Sequence, residues 1–301
     1  MKIKLFFILF AITIARPATA QINIWEGTSC KARVTLTPIL PEGKPVASVI
    51  VCPGGSYYWH DTKSEGIAVA NWLADNGIAA YILNYRVAGV ADHLFAYRAI
   101  FRGNRHPDMI CDLQRSIELV REQYDGPVGA MGFSAGGHLV LSSGSFAGTN
   151  FLERYGIEPE VSLVPDFIAA IYPVVTMSEE RYVHKRSRNG VMGRSRVHDI
   201  SLRDSLSLEK HVNSRMPPVF LLNCRDDEVV DYHNSELMDS ALTASGVLHK
   251  RILYETGGHG FGANTEKLNP ETSEWQEKFV PWLDTIVLRQ YGYRIQHSVG
   301  N

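Results

Sequence analysis

Gly132-Phe133-Ser134-Ala135-Gly136 reads G-x-S-x-G, the spacing that seats a serine on a tight turn from strand to helix. The glycines are needed because the serine backbone is strained there and its neighbours must be nearly free of side chain. The flanks suit such a turn. Pro127-Val128-Gly129-Ala130-Met131 reads as a short buried strand, and Ala135 to Leu141 as the opening of a helix. A serine hydroxyl is a weak nucleophile by itself. It needs a base within hydrogen-bond reach, a carboxylate to orient that base, and N–H donors for the oxyanion formed on attack.

Candidates for each role stand elsewhere in the chain. Of the 11 histidines, His259 alone sits in a glycine-flanked loop, Gly257-Gly258-His259-Gly260-Phe261-Gly262, directly after a strand-like run. Such a histidine packs poorly in a core and reaches well into a site. His138, four residues after the serine, is the runner-up and reads as a helix residue that orients the site or touches substrate. For the acid, Arg225-Asp226-Asp227-Glu228-Val229-Val230 follows the apolar run Val219 to Asn223. The spacing favours Asp227, with Asp226 as the alternative. For the oxyanion, the run Val49 to Cys52 leads into Pro53-Gly54-Gly55, where Gly54 and Gly55 are candidate donors beside the N–H of Ala135. Serine, acid and histidine then follow in the chain order this kind of turn uses on an α/β sheet. Tyr57 and Phe95 are the candidate substrate contacts, with Tyr58 and Trp59 beside Tyr57 as further aromatic rings.

These groups need a frame that brings strand ends together. Ala47 to Cys52, Ala79 to Leu83, Val128 to Gly132, Phe167 to Ile171, Val219 to Asn223 and His249 to Leu253 are short, continuous apolar runs. Runs of that kind fit strands buried on both faces. Helical spacing lies between them over Glu65 to Asn76, Pro107 to Tyr124, His233 to Ser245 and Thr272 to Gln290. The alternation predicts a doubly wound, mostly parallel sheet flanked by helices, with ligands bound outside the carboxyl ends of the strands. Two stretches break the rhythm, Gly89 to His106 and Ser178 to Leu208, and are expected to form a lid-like rim. Arg181, Lys185, Arg186, Arg188, Arg194 and Arg196 in the second stretch suit either a solvated loop or a site for an acidic glycan.

The first 20 residues read as a secretory signal peptide: Lys2 and Lys4, the apolar run Leu5 to Ala15, then Ala18-Thr19-Ala20 before Gln21. The apolar run falls short of the ~20 residues a membrane-spanning helix needs. The remainder, 21–301, reads as one domain. The formal net charge of −2 becomes −5 when Lys2, Lys4 and Arg16 are removed, which argues against nucleic acid or an anionic membrane as partner. Cys52 and Cys224 close apolar runs and are expected to be buried thiols, while Cys30 and Cys111 are left undecided. No zinc-ligand spacing and no phosphate-binding glycine loop occurs, so no metal and no organic cofactor is expected. Oligomeric state is not legible.

Taken together, Pro53-Gly54-Gly55-Ser56-Tyr57, Asn84-Tyr85-Arg86, Asp112-Leu113-Gln114-Arg115, Gly132 to His138, Tyr172-Pro173-Val174-Val175, Asp226 to Val230 and His259-Gly260-Phe261-Gly262 make the chain resemble an α/β-hydrolase. More narrowly it is similar to exported bacterial carbohydrate esterases of the acetyl xylan and feruloyl esterase type, relatives of dienelactone hydrolases. The resemblance runs from about residue 45 to 285. It implies a three-layer sandwich and an exported serine esterase acting on an acylated polysaccharide or oligosaccharide through an acyl-enzyme. Ser134 would be the nucleophile, Asp227 the acid and His259 the base. A serine peptidase of prolyl-oligopeptidase type and a non-catalytic binding protein on the same fold are the alternatives. The chain departs from the pattern at Asp231, where relatives often carry proline, and at Ser56, where many carry a third glycine.

Overall fold

Eight strands form a single sheet in the order β1-β2-β4-β3-β5-β6-β7-β8. They are β1 Ile22–Asn23, β2 Thr35–Ile39, β3 Ala47–Cys52, β4 Ile78–Asn84, β5 Val128–Phe133, β6 Ile168–Ile171, β7 Val219–Cys224 and β8 His249–Tyr254. The structure is a computed structural model that describes residues 20–95 and 103–295. Residues 1–19, nearly all of the expected signal segment, and part of the first rim stretch therefore lie outside the described residues. From β4 to β8 every pairing is parallel, while β1 and β2 run antiparallel at one edge.

Side chains alternate across this sheet, so each central strand feeds two cores. Ile50 and Cys52 face one, with Ala130, Ala170 and Leu221; Val49 and Val51 face the other, with Met131, Ile171 and Leu222. The first core is closed by α3 Asp108–Arg121, α4 Ala135–Ser145 and α7 His233–Ala244. The second is closed by α1 Ala68–Asp75 and α8 Trp275–Ile286. Phe279 of α8 sits against Phe167, Phe220 and Trp282, with ring centroids 5.4–6.4 Å apart. Burying one such ring contributes about 1.5–3 kcal/mol.

The strand runs read from sequence are all present and extend by at most one residue beyond the expected ends, apart from Phe167, which precedes β6. The edge pair β1–β2 is the omission. Burial alternates along Thr35–Ile39 with Leu36 and Pro38 inward, and Pro38 lies beyond the two residues that β1 pairs with, where a proline is tolerated. Helix limits also shift: a π-helical turn, Thr62–Ile67, precedes α1, and Asp61 caps it through a 3.0 Å bond from Ser64 N–H.

Two motifs outside the site hold the frame. The buried Asp112 carboxylate accepts from Trp25 Nε1 at 2.7 Å and from the Arg86 backbone and guanidinium at 2.8–3.0 Å. That network ties the N-terminal segment, the end of β4 and α3 together. Tyr85 donates its hydroxyl to Pro53 O at 2.6 Å and so braces the loop after β3.

The rim stretches contain α2 Val90–Phe95, α5 Lys185–Met192 and α6 Ile200–Ser205. They are anchored against each other and against the loop after β3. His106 N–H donates to Val191 O at 2.8 Å, Arg194 to His93 O at 3.0 Å, and Arg196 to His106 O at 3.4 Å. Gly190 lies so close to that loop that a Cβ there would stand 2.3 Å from Ser56 O. The described parts of both stretches form a packed wall on this face.

Candidate active site

β5 delivers Ser134 with φ 53° and ψ −117°, a conformation that L residues adopt only under constraint. The constraint is steric. A Cβ on Gly132 would stand 2.1 Å from Gly136 O, and one on Gly136 would stand 2.0 Å from Cys52 O. The turn can close only with glycine at both places. Ser134 is 4% exposed, and its carbonyl begins α4 by accepting from His138 N–H at 3.2 Å.

His259 reaches this serine from the loop after β8, with Nε2 2.9 Å from Ser134 Oγ. Its Nδ1 lies 2.6 Å from Asp227 Oδ2. A carboxylate only accepts, so Nδ1 carries the proton and Nε2 is left to accept from the serine hydroxyl. Asp227 Oδ1 accepts from the backbone N–H groups of Val229 and Val230 at 2.8 and 2.9 Å. The neighbouring Asp226 points elsewhere and accepts from the N–H groups of Gly257 and Gly258 at 3.2 and 2.8 Å. One aspartate faces the imidazole; the other holds the backbone of the histidine loop.

The oxyanion loop corrects one expectation. Gly54 N–H donates to Glu65 Oε2 at 2.6 Å and is therefore not available to a substrate. Gly54 contributes space instead: a Cβ there would meet Ser134 Cβ at 2.8 Å. Among the described residues no hydrogen bond engages the N–H of Gly55 or of Ala135. Ala135 opens α4, where the first N–H groups have no partner within the helix and the helix dipole favours negative charge. The loop is held in an unusual shape, with Ser56 and Tyr57 at φ 56° and 63°. Gly55 O accepts from Tyr58 N–H at 2.9 Å and Tyr57 O from Ala88 N–H at 2.7 Å.

Two expected substrate contacts are also corrected. Tyr57 and His138 are each 1% exposed and bond to each other beneath the loop. The Tyr57 hydroxyl donates to His138 Nδ1 at 2.8 Å, and His138 Nε2–H donates to Leu206 O at 2.9 Å. They join the oxyanion loop, α4 and the second rim stretch from behind. Tyr58 is likewise buried, whereas Trp59 is half-buried with the Arg186 guanidinium 5.8 Å above its ring. Phe95 ends α2, and its side chain lies outside the described residues.

Burial holds His138 neutral with a pKa pushed down to about 4, and burial does the same to His60, His106 and His184. An unfolded histidine titrates near 6.5, so the unfolded chain binds the extra protons. For a group whose pKa falls on folding, the stability is present above the unfolded value and is lost as pH drops through the folded one. Stability is therefore expected to be full above about pH 6.5 and to decline between about 6.5 and 4. Urea midpoints at pH 7.5 and 5 check this, and equal midpoints would contradict it.

The arginine run is mostly spent internally. Arg188 pairs with Glu180 at 2.6 Å, Arg194 and Arg196 bond to backbone carbonyls, and Arg181 lies 5.4 Å from the Tyr182 ring. All four cysteines are free and buried, Cys30 and Cys111 included; burial pushes the Cys52 thiol up and those of Cys111 and Cys224 up to about 12. Among the described residues no group of His, Cys, Asp and Glu is placed to hold a metal ion, and no helix is long and apolar enough to cross a membrane.

A family model for BD-FAE, the bifunctional acetyl xylan and feruloyl esterases, matches residues 39–242. The chain belongs to the BD-FAE family. That family has the α/β-hydrolase fold, which the eight-stranded, mostly parallel sheet flanked by helices shows here. An acetylxylan esterase of Xylanibacter ruminicola is 28% identical over 319 residues, covering 100% of this chain and 60% of that protein. The endo-1,4-beta-xylanase B of Butyrivibrio fibrisolvens is 29% identical over 221 residues, covering 70% of this chain and 32% of the enzyme. The chain thus spans about 60% and about a third of these relatives' lengths. Among solved structures, an acetyl ester-xyloside bifunctional hydrolase from Caldicellulosiruptor lactoaceticus superposes with TM-score 0.75 at 30% identity, covering 90% of this chain and 97% of that one. A carboxylesterase from Lactobacillus plantarum superposes at 0.69 with 20% identity, covering 92% and 98%, a likeness of fold.

Two residues of this BD-FAE chain that sequence reasoning passed over meet at the site. Glu65 lies behind Gly54, and Tyr172 packs its ring 4.5 Å from that of His259. Tyr172 stood in a matched motif, and its φ of 37° at the end of β6 is a sign of constraint visible only in three dimensions. Glu65 sits in a run that reads as an ordinary helix start, so nothing local marks it.

Proposed function

We propose that this chain is an exported serine esterase that removes acyl groups, acetyl or feruloyl, from polysaccharide or oligosaccharide. The observation that carries the reading is the continuous chain from Ser134 Oγ to His259 Nε2 at 2.9 Å and from His259 Nδ1 to Asp227 at 2.6 Å. Ser134 Oγ attacks the ester carbonyl carbon as His259 Nε2 takes its proton. The carbonyl oxygen becomes an oxyanion, faced by the N–H groups of Gly55 and Ala135. Collapse breaks the bond to the alcohol oxygen, which leaves with the proton from His259, and Ser134 remains acylated. Water then loses a proton to His259 and attacks the acyl carbon; the bond to Ser134 Oγ breaks, Oγ takes that proton back from His259, and the acid leaves. The steps as written use no metal or organic cofactor.

The substrate class is supported by the names of the relatives, an acetylxylan esterase and an acetyl ester-xyloside hydrolase. Export is supported by the basic start, apolar run and Ala18-Thr19-Ala20 of the first 20 residues. The test is release of acid from acetylated and feruloylated xylo-oligosaccharides compared with peptide substrates, together with the mass of the chain recovered outside the cytoplasm. Turnover of the sugar esters by a chain beginning at Gln21 is expected. Preferential peptide cleavage would replace the esterase reading with the peptidase one.

A further inference from the structure

Glu65 is a buried carboxylate that the steps above leave unused. It sits on the π-helical turn Thr62–Ile67 and is 2% exposed. Its two oxygens serve different loops. Oε2 accepts from Gly54 N–H at 2.6 Å, at the base of the oxyanion turn. Oε1 accepts from the Tyr172 hydroxyl at 2.9 Å, and the same hydroxyl oxygen accepts from Gly262 N–H at 2.9 Å. Gly262 closes the histidine loop, and Tyr172 supports that loop from beneath, its ring 4.5 Å from His259 and 4.8 Å from Phe261. The turn bearing Glu65 also bonds this loop directly, because Ser64 O accepts from Ala263 N–H at 3.1 Å.

We propose that Glu65 is a positioning residue for the ester hydrolysis assigned above, on which this inference rests: one buried negative charge sets the oxyanion loop and the histidine loop together and favours the His259 imidazolium formed during attack. Both Glu65 oxygens accept from donors, the pattern of an ionised carboxylate, and the short 2.6 Å bond is of charge-assisted length. The groups facing it are Asp61 from its own turn, Tyr172 from the end of β6, Tyr85 from the end of β4, and His259. Burial raises the Glu65 carboxyl above its ordinary value, while His259 and the two donors oppose that rise.

Glutamine at this place keeps the shape and removes the charge. Its amide would offer a hydrogen to Tyr172, whose hydroxyl oxygen already takes Gly262 N–H, and the Tyr172 proton would lose its acceptor. Removing the negative neighbour also withdraws the charge that favours the imidazolium form of His259 during attack. The test is kcat and KM for p-nitrophenyl acetate across pH 4–9 on the full chain, for wild type, Glu65→Gln and Tyr172→Phe, with circular dichroism as the fold control. Glu65→Gln is expected to lower kcat about 10- to 100-fold with KM within about twofold, as small misplacements of reacting groups do. Its acid limb in kcat/KM should move to lower pH. Tyr172→Phe, which removes one hydroxyl, should lower kcat about tenfold and leave the acid limb in place; it decides the matter alone if Glu65→Gln does not fold. An active wild type whose folded variants keep kcat within about twofold, or whose Glu65→Gln acid limb does not move, overturns the role of Glu65 alone. An inert wild type removes the ester reading and this inference with it.

Discussion

Ser134→Ala is expected to lower kcat/KM toward short acyl esters by about 10⁴-fold or more, with folding unchanged. Alanine keeps the Cβ that packs against Gly54 and loses only the oxygen bonded to His259. Without that oxygen no acyl-enzyme forms, and the residual rate reflects binding and the oxyanion donors alone. His259→Ala should cost a similar amount, and the double variant little more than either single one, because the two residues act as a unit. A fluorophosphonate probe should label wild type and fail to label Ser134→Ala. A variant that retains activity within tenfold would mean the chemistry runs through another residue.

Asp227→Asn is expected to lower kcat by about 10³- to 10⁴-fold, and Asp226→Asn by tenfold at most, as befits adjacent carboxylates with different partners. The size of the first effect follows from which way the new amide must point. Oδ1 of Asp227 accepts two backbone N–H groups, from Val229 and Val230, so the asparagine oxygen stays there. Its NH₂ then faces His259 Nδ1 and requires the tautomer with the proton on Nε2. That tautomer cannot take the Ser134 proton. Asp226 instead accepts from Gly257 and Gly258, so its replacement loosens the histidine loop by one hydrogen bond, worth about 1 kcal/mol. Side-by-side kinetics of the two variants separate these roles, and equal losses would show that the loop as a whole carries the effect.

That contrast also marks how far the linear chain can be read. Ser134, His259 and the glycines around them were legible because their demands are local. A strained serine turn excludes side chains two residues away, and a loop of left-handed glycines is written into the residues themselves. The parallel strands were legible for a similar reason, since a run such as residues 49–52, buried on both faces, has no polar positions to alternate. The strand Thr35–Ile39, next to the two-residue edge strand Ile22–Asn23, was not, because Pro38 in so short a run looks like a loop.

Residue type and order alone therefore established the α/β frame, the elbow and the histidine that serves it, all consequences of backbone geometry over a few residues. Folding decided what depends on distance between strand ends. It separated Asp227 from Asp226, which differ by one place in sequence and by opposite partners in space. It withdrew the Gly54 amide from the oxyanion site and buried Tyr57 and His138 beneath it. It also brought Glu65 to Tyr172 across 107 positions of chain. A hydrogen bond spans about 3 Å whatever the separation in sequence, so only the packed sheet could assign these partners.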